Sequence, residues 1–149
     1  MKRLLTAAAF GLAAFTVAPT AALAADPGYT GLLNNTALGG YDAVSFFDGE
    51  GLEGSRDHST TYQGAEFRFA NAENLARFEA DPNAYAPQYG GYCAWAVSQG
   101  SLAPGDPKTA TIHNGKLYLN VNRSIQSRWD KDRDGFIASA EDNWPEILN

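Results

Sequence analysis

Thr111-Ile112-His113-Asn114-Gly115-Lys116-Leu117-Tyr118-Leu119-Asn120 decides how this chain is read. Asn-Gly tolerates the positive φ angles of a tight turn, and β-branched and aromatic residues flank it. The stretch predicts a β-hairpin. A second hairpin is expected upstream, where Thr60-Thr61-Tyr62 and Glu66-Phe67-Arg68-Phe69 flank Gln63-Gly64-Ala65. Aromatic and polar residues alternate in its second arm, so one face is buried.

Helical signals follow each hairpin. Asn71 is placed to cap a helix in which Leu75 and Phe78 share a face. That helix must end by Asp81, because the residue before Pro82 avoids helical geometry. Tyr85, Pro87 and Tyr89 read as an extended aromatic link. Gly90-Gly91 then turns the chain into a short helix over about Tyr92 to Gln99, stopped by Gly100. Ser124 is expected to cap a helix carrying Ile125 and Trp129. Tyr41 to Phe47 reads as a short buried strand, and residues 25–38 as an extended lead-in. No repeat and no second domain is read. The expected class is α+β, a small single domain of two β-hairpins with several short helices.

Bulk properties set the compartment. Lys2 and Arg3, the apolar run Leu4 to Val17 and the small-residue triplet Ala22-Leu23-Ala24 predict a signal peptide over residues 1–24. Pro19 and Thr20 interrupt the run, which argues against a membrane anchor. The protein is expected to be periplasmic or secreted. The leader carries two of the 11 basic residues and none of the 17 acidic ones, which leaves nine against 17, or −8. A surface that acidic argues against nucleic acid as a partner.

The chain has one cysteine, Cys93, between aromatic neighbours and behind Gly90-Gly91. It has no partner for an internal disulfide, so it is either an inert core residue or kept for reactivity. A short helix beginning here would favour a thiolate. His58 and His113 are the only histidines. With Cys93 they would make a copper or zinc site if the fold brought them together. Asp42 and Asp81 are carboxylates that could exchange protons, although Asp81-Pro82 reads better as a helix stop.

A third candidate lies near the C-terminus. Asp130-Lys131-Asp132-Arg133-Asp134-Gly135 and Glu141 fit the calcium-loop pattern D-x-D-x-D-G-x5-E. Asp130, Asp132, Asp134 and Glu141 would supply carboxylates and Phe136 its carbonyl. Pro145 shortens the exit helix, and the loop is single where such loops usually pair.

Two blocks resemble the YHS domain family, as found in exported bacterial proteins, some of them described as selenoproteins. One is Tyr62-x-Gly64-x-x-Phe67-x-Phe69-x-x-x-Glu73-Asn74-x-x-x-Phe78-x-x-Asp81-Pro82-x-x-Tyr85. The other is Pro87-x-Tyr89-Gly90-Gly91-Tyr92-Cys93-Ala94-x-Ala96-Val97-Ser98. Gly40-Tyr41-Asp42 and Gly115 to Asn120 extend the likeness. It implies a YHS-like domain over 39–149, with the core motif at about 41–98 and the 130–141 loop as an extension. It also implies soft-metal or redox chemistry at Cys93. The chain departs from metal-handling members, because Ser45, Ala70 and Asn74 stand where those carry cysteines. The resulting expectation is an exported, non-catalytic, metal-related binding module with Cys93 as ligand or redox thiol. Its alternatives are a thiol-dependent redox protein with a protein partner and an interaction module stabilised by calcium.

Overall fold

The computed structural model describes residues 24–31 and 34–149. The expected signal peptide lies outside the described residues, apart from Ala24. The two expected hairpins are present: β1 (Ser55–Tyr62) pairs antiparallel with β2 (Ala65–Phe69), and β3 (Asp106–His113) with β4 (Lys116–Asn120). Short helices surround them: α1 (Ala43–Phe47), α2 (Ala72–Ala80), α3 (Pro82–Tyr85), α4 (Ala94–Ser98), α5 (Arg123–Trp129) and α6 (Arg133–Asn143). The fold is a small single-domain α+β one, as the sequence predicts. Among the described residues no helix is long and apolar enough to cross a membrane.

Several local expectations are corrected. Tyr41–Phe47 is not a strand. Asp42 accepts hydrogen bonds from the Val44 and Ser45 amides and so starts α1 in its place. The aromatic link is extended only at Ala86 and Pro87, between a helical turn, α3, that Pro82 starts as a first helical residue, and a 3-10 turn at Gln88–Gly91. The lead-in likewise ends in a 3-10 turn at Ala37–Gly40. The cap of α5 is Asn122, whose side chain accepts from Ile125 N, and not Ser124. Cys93 stands just before α4, at its cap position, not in its first turn.

The largest correction concerns repetition. The chain from about Thr36 to Asp81 recurs, without a gap, 51 positions later: 39 to 90, 54 to 105, 71 to 122, 81 to 132. Backbone torsions match along this register. Leu38 and Tyr89 both have φ 54°, and Gly39 and Gly90 have φ 59° and 60°. The hairpin turns agree at Gln63 and Asn114, with φ 48° and 49°. Thr60 faces Phe67 as Thr111 faces Tyr118. Asp42 N donates to Leu52 O over 2.8 Å, and Cys93 N to Ala103 O over 2.9 Å. Asn71 and Asn122 cap α2 and α5, and Asp81 and Asp132 precede α3 and α6. The molecule is therefore two like units, each a Gly-Gly turn, a short helix, a hairpin and a capped helix. The repeat escapes a reading by composition because glycines, caps and turns carry it, while the side chains between them have diverged.

The two units share their interior. One core gathers Val44, Phe67, Phe69 and Phe78 with Leu117 and Leu119 from the second unit's β4. The other gathers Tyr89, Val97, Tyr118, Trp129 and Ala140, with Trp144 packed against it. Burying rings of this size is the main stabilising term available to so small a domain.

Candidate functional site

The 51-residue register sets Cys93 opposite Asp42, and their surroundings explain both. Asp42 is fully buried. Its Oδ1 accepts from Val44 N (2.9 Å) and Ser45 N (3.2 Å), and its Oδ2 from Ala70 N (2.9 Å) and Asn74 Nδ2 (2.7 Å). Four donors make an internal carboxylate tenable. Asp42 thus ties α1 to the end of β2 and to α2, which is a structural duty and leaves no oxygen turned to a substrate.

In the second unit Asn74 is replaced by Ile125, so a carboxylate at position 93 would lack its side-chain donor. A thiol stands there, and the capping task has moved across the hairpin. Asn120 Oδ1 accepts from Trp95 N over 3.1 Å, the amide equivalent to Val44 N. Cys93 Sγ donates to the same oxygen over a long 3.6 Å. Cys93 and Asn120 are both fully buried. Cys93 also forms a parallel bridge with Leu119. Asn120 occupies the slot of Phe69, and its Nδ2 has no hydrogen-bond partner. Trp129 occupies the slot of Phe78, and its buried Nε1 is also unpartnered. Polar atoms have entered two aromatic slots of the second unit. The sequence reads Asn120 only as the end of a hairpin arm, and the repeat register is the signal that marks it as a capping residue.

The histidines lie elsewhere. His58 is in β1, at the position equivalent to Thr109. His113 Nε2 is 2.8 Å from Asp134 Oδ1, and its ring sits edge-on to Trp129 and Tyr118. Among the described residues no three His, Cys, Asp or Glu side chains gather as a metal site would need. Cys93, His58 and His113 are not gathered into one group in this structure.

The residues of the calcium-loop pattern lie mostly on a helix. Residues 133–143 are helix α6, so the carboxylates radiate along it instead of converging. Asp132 Oδ1 caps the Gly135 amide over 3.1 Å. Asp130 pairs with Arg133 and Asp134 with His113. Glu141 accepts from Tyr89 Oη over 3.3 Å. Phe136 packs on the second core. Asp132 caps this helix at the position where Asp81 precedes α3 without a side-chain cap bond, and α6 is α3 continued for two more turns.

Burial holds the tyrosines of this half neutral. Desolvation pushes the Tyr89 hydroxyl well above the ordinary tyrosine range, and the Glu141 carboxylate adds to it. Tyr92 and Tyr118 are raised by burial too.

Several cavities open on the surface of the described residues, and two of them bear on these elements. One, of 620 Å³, lies where the units meet and is lined by Tyr29, Leu38, Gly39, Gly91, Asp106 and Leu119 among others. Leu119 and Gly91 form its wall, and neither Cys93 nor a histidine lines it. The other, of 530 Å³, runs over α1, between Tyr41 and Phe46 on one side and β3 on the other.

Residues 43–89 match the family model of the YHS domain. The YHS match runs from the first residue of α1 to the Gly-Gly turn of the second unit, and so spans most of the first unit and neither Cys93 nor Asn120. No curated protein and no solved structure matches the chain.

Proposed function

We propose that this chain is an exported, non-catalytic binding module of the YHS type, working through its surface cavities and not through a resident metal or a reactive thiol. The observation that carries this reading is the transfer of the capping role from residue 93 to Asn120. It leaves Cys93 sealed inside the second unit as a small core residue, the role free cysteine most often fills. The donor set does not fit a soft metal ion either. Among the described residues Cys93 belongs to no group of three or more His, Cys, Asp or Glu side chains, and a buried transition metal needs three or four such ligands. Asp42 and Asp132 cap helices, and Asp130, Asp134 and Glu141 pair with Arg133, His113 and Tyr89. A redox protein would need its thiol within reach of an oxidant or a partner's sulfur, and the burial of Cys93 supports the binding reading over that one.

Elemental analysis of the protein purified from the periplasm without chelators tests this, beside a Cys93→Ser variant. Copper and zinc are expected well below one equivalent in both. One equivalent of either ion in the wild type, lost in the variant, would make Cys93 a ligand and overturn the reading.

A further inference from the structure

The repeat allows a covered surface to be compared with its open twin. In the second unit, α6 and Trp144 lie over α4. Trp144 packs on Tyr92 with ring centroids 6.2 Å apart, and Asn143 Nδ2 donates to Val97 O over 2.8 Å. Val97 is fully buried as a result, and Tyr92 nearly so. Their equivalents in the first unit are Phe46 and Tyr41. These two line the 530 Å³ groove, and both are only half-buried. The difference has a plain cause: α3 stops after four residues at Tyr85, whereas its counterpart α6 continues to Asn143. Among the described residues no side chain donates to the carbonyls of Phe46 or Phe47, which correspond to those Asn143 reaches. The opposite wall carries Ile112, one of two large apolar side chains exposed among the described residues, with Lys108 and Arg123 at the rim.

We propose that this groove is a docking site for a short helical segment of a partner protein. The segment would carry an aromatic side chain that seats on Tyr41 and Phe46 as Trp144 seats on Tyr92. The proposal rests on the binding-module reading and names the kind of partner. Its occupant is inferred from the one the same surface has in the other unit. Apolar side chains against a helix face supply the affinity in this mode of recognition, and a charged rim supplies register.

A synthetic peptide of this chain's residues 132–148 is the probe, since it holds the segment that covers the twin surface. Titrated into the isotope-labelled mature chain, it is expected to shift the amide signals of residues 41–51 and 108–112 saturably. Ile112→Asp, an exposed change that leaves the fold intact, should weaken binding by about tenfold or more. Phe46→Ala should weaken it further, if its spectrum stays folded. Absence of saturable shifts would overturn the proposal, as would shifts confined to the second unit, where the peptide would merely replace α6. The same residues shifting on concentration of the chain alone would assign the groove to a second copy and overturn the partner assignment. Metal analysis fails or succeeds independently of this titration, so the two claims are separable.

Discussion

Asp42 and Cys93 occupy one position in two units and answer to different neighbours. Asp42 meets four donors, and removing it leaves the Ala70 amide and the Asn74 side chain unpaired in the interior. Asp42→Ala should therefore cost about 3 kcal/mol or more of unfolding free energy in urea titrations. Cys93→Ala removes one long hydrogen bond and one sulfur, and should cost only about 1–2 kcal/mol. Cys93→Asp should be worse than Cys93→Ala, because Ile125 offers no donor where Asn74 stands in the first unit. A Cys93→Asp variant as stable as the wild type would show that the second unit can host the carboxylate after all. Cys93 was legible as the residue to examine, since it is the only cysteine. Its burial was not, because exposure depends on β4, whose Leu119 and Asn120 close over it from 26 and 27 positions away.

The short elements were legible wherever a backbone requirement shows in residue type. Asn114-Gly115 announces its hairpin, and Asn71 and Asn122 sit three residues before the amides they cap. They were not legible where capping overrides apolar content: Tyr41–Phe47 looks like a strand, yet one carboxylate turns it into α1. The acidic run 130–134 is open to two readings for the same reason, as a cap residue and a loop ligand are both aspartate. One glycine in each unit, Gly54 and Gly105, packs closely on the second strand of its hairpin, at Arg68 and Leu119. A Cβ on Gly105 would meet Gly91 O at 2.0 Å, and one on Gly54 would meet the Arg68 backbone at 2.4 Å. Gly54→Ala and Gly105→Ala are both expected to lower the melting temperature by several degrees or to prevent folding, each removing about 2–4 kcal/mol. If one were tolerated and the other not, the two units would not share this contact in the way the register implies.

At the scale of the molecule, the units form one cooperative body. Leu117 and Leu119 of the second unit complete the first unit's core, so residues 24–90 alone, which contain the whole YHS match, should show no cooperative unfolding transition. A folded fragment in solution spectra would contradict this. The buried tyrosines give the whole chain an alkaline limit. The hydroxyls of Tyr89, Tyr92 and Tyr118 lose protons less readily when folded than at the ordinary value of 10.0. Between those values the unfolded chain binds fewer protons, so the stability they contribute is complete below about pH 10 and falls as pH rises above it. Urea midpoints measured from pH 8 to 11 should drop in that upper range, and a flat profile would mean that these rings are not held neutral. The central claim is that the thiol of residue 93 is sealed and structural. Its most direct test is the rate at which an aromatic disulfide reagent labels a chain of residues 25–149 with and without denaturant. One equivalent should react promptly in urea, with native labelling slower by about a thousandfold or more and paced by unfolding. Native labelling as fast as that of a free thiol would contradict it and return Cys93 to the reactive surface.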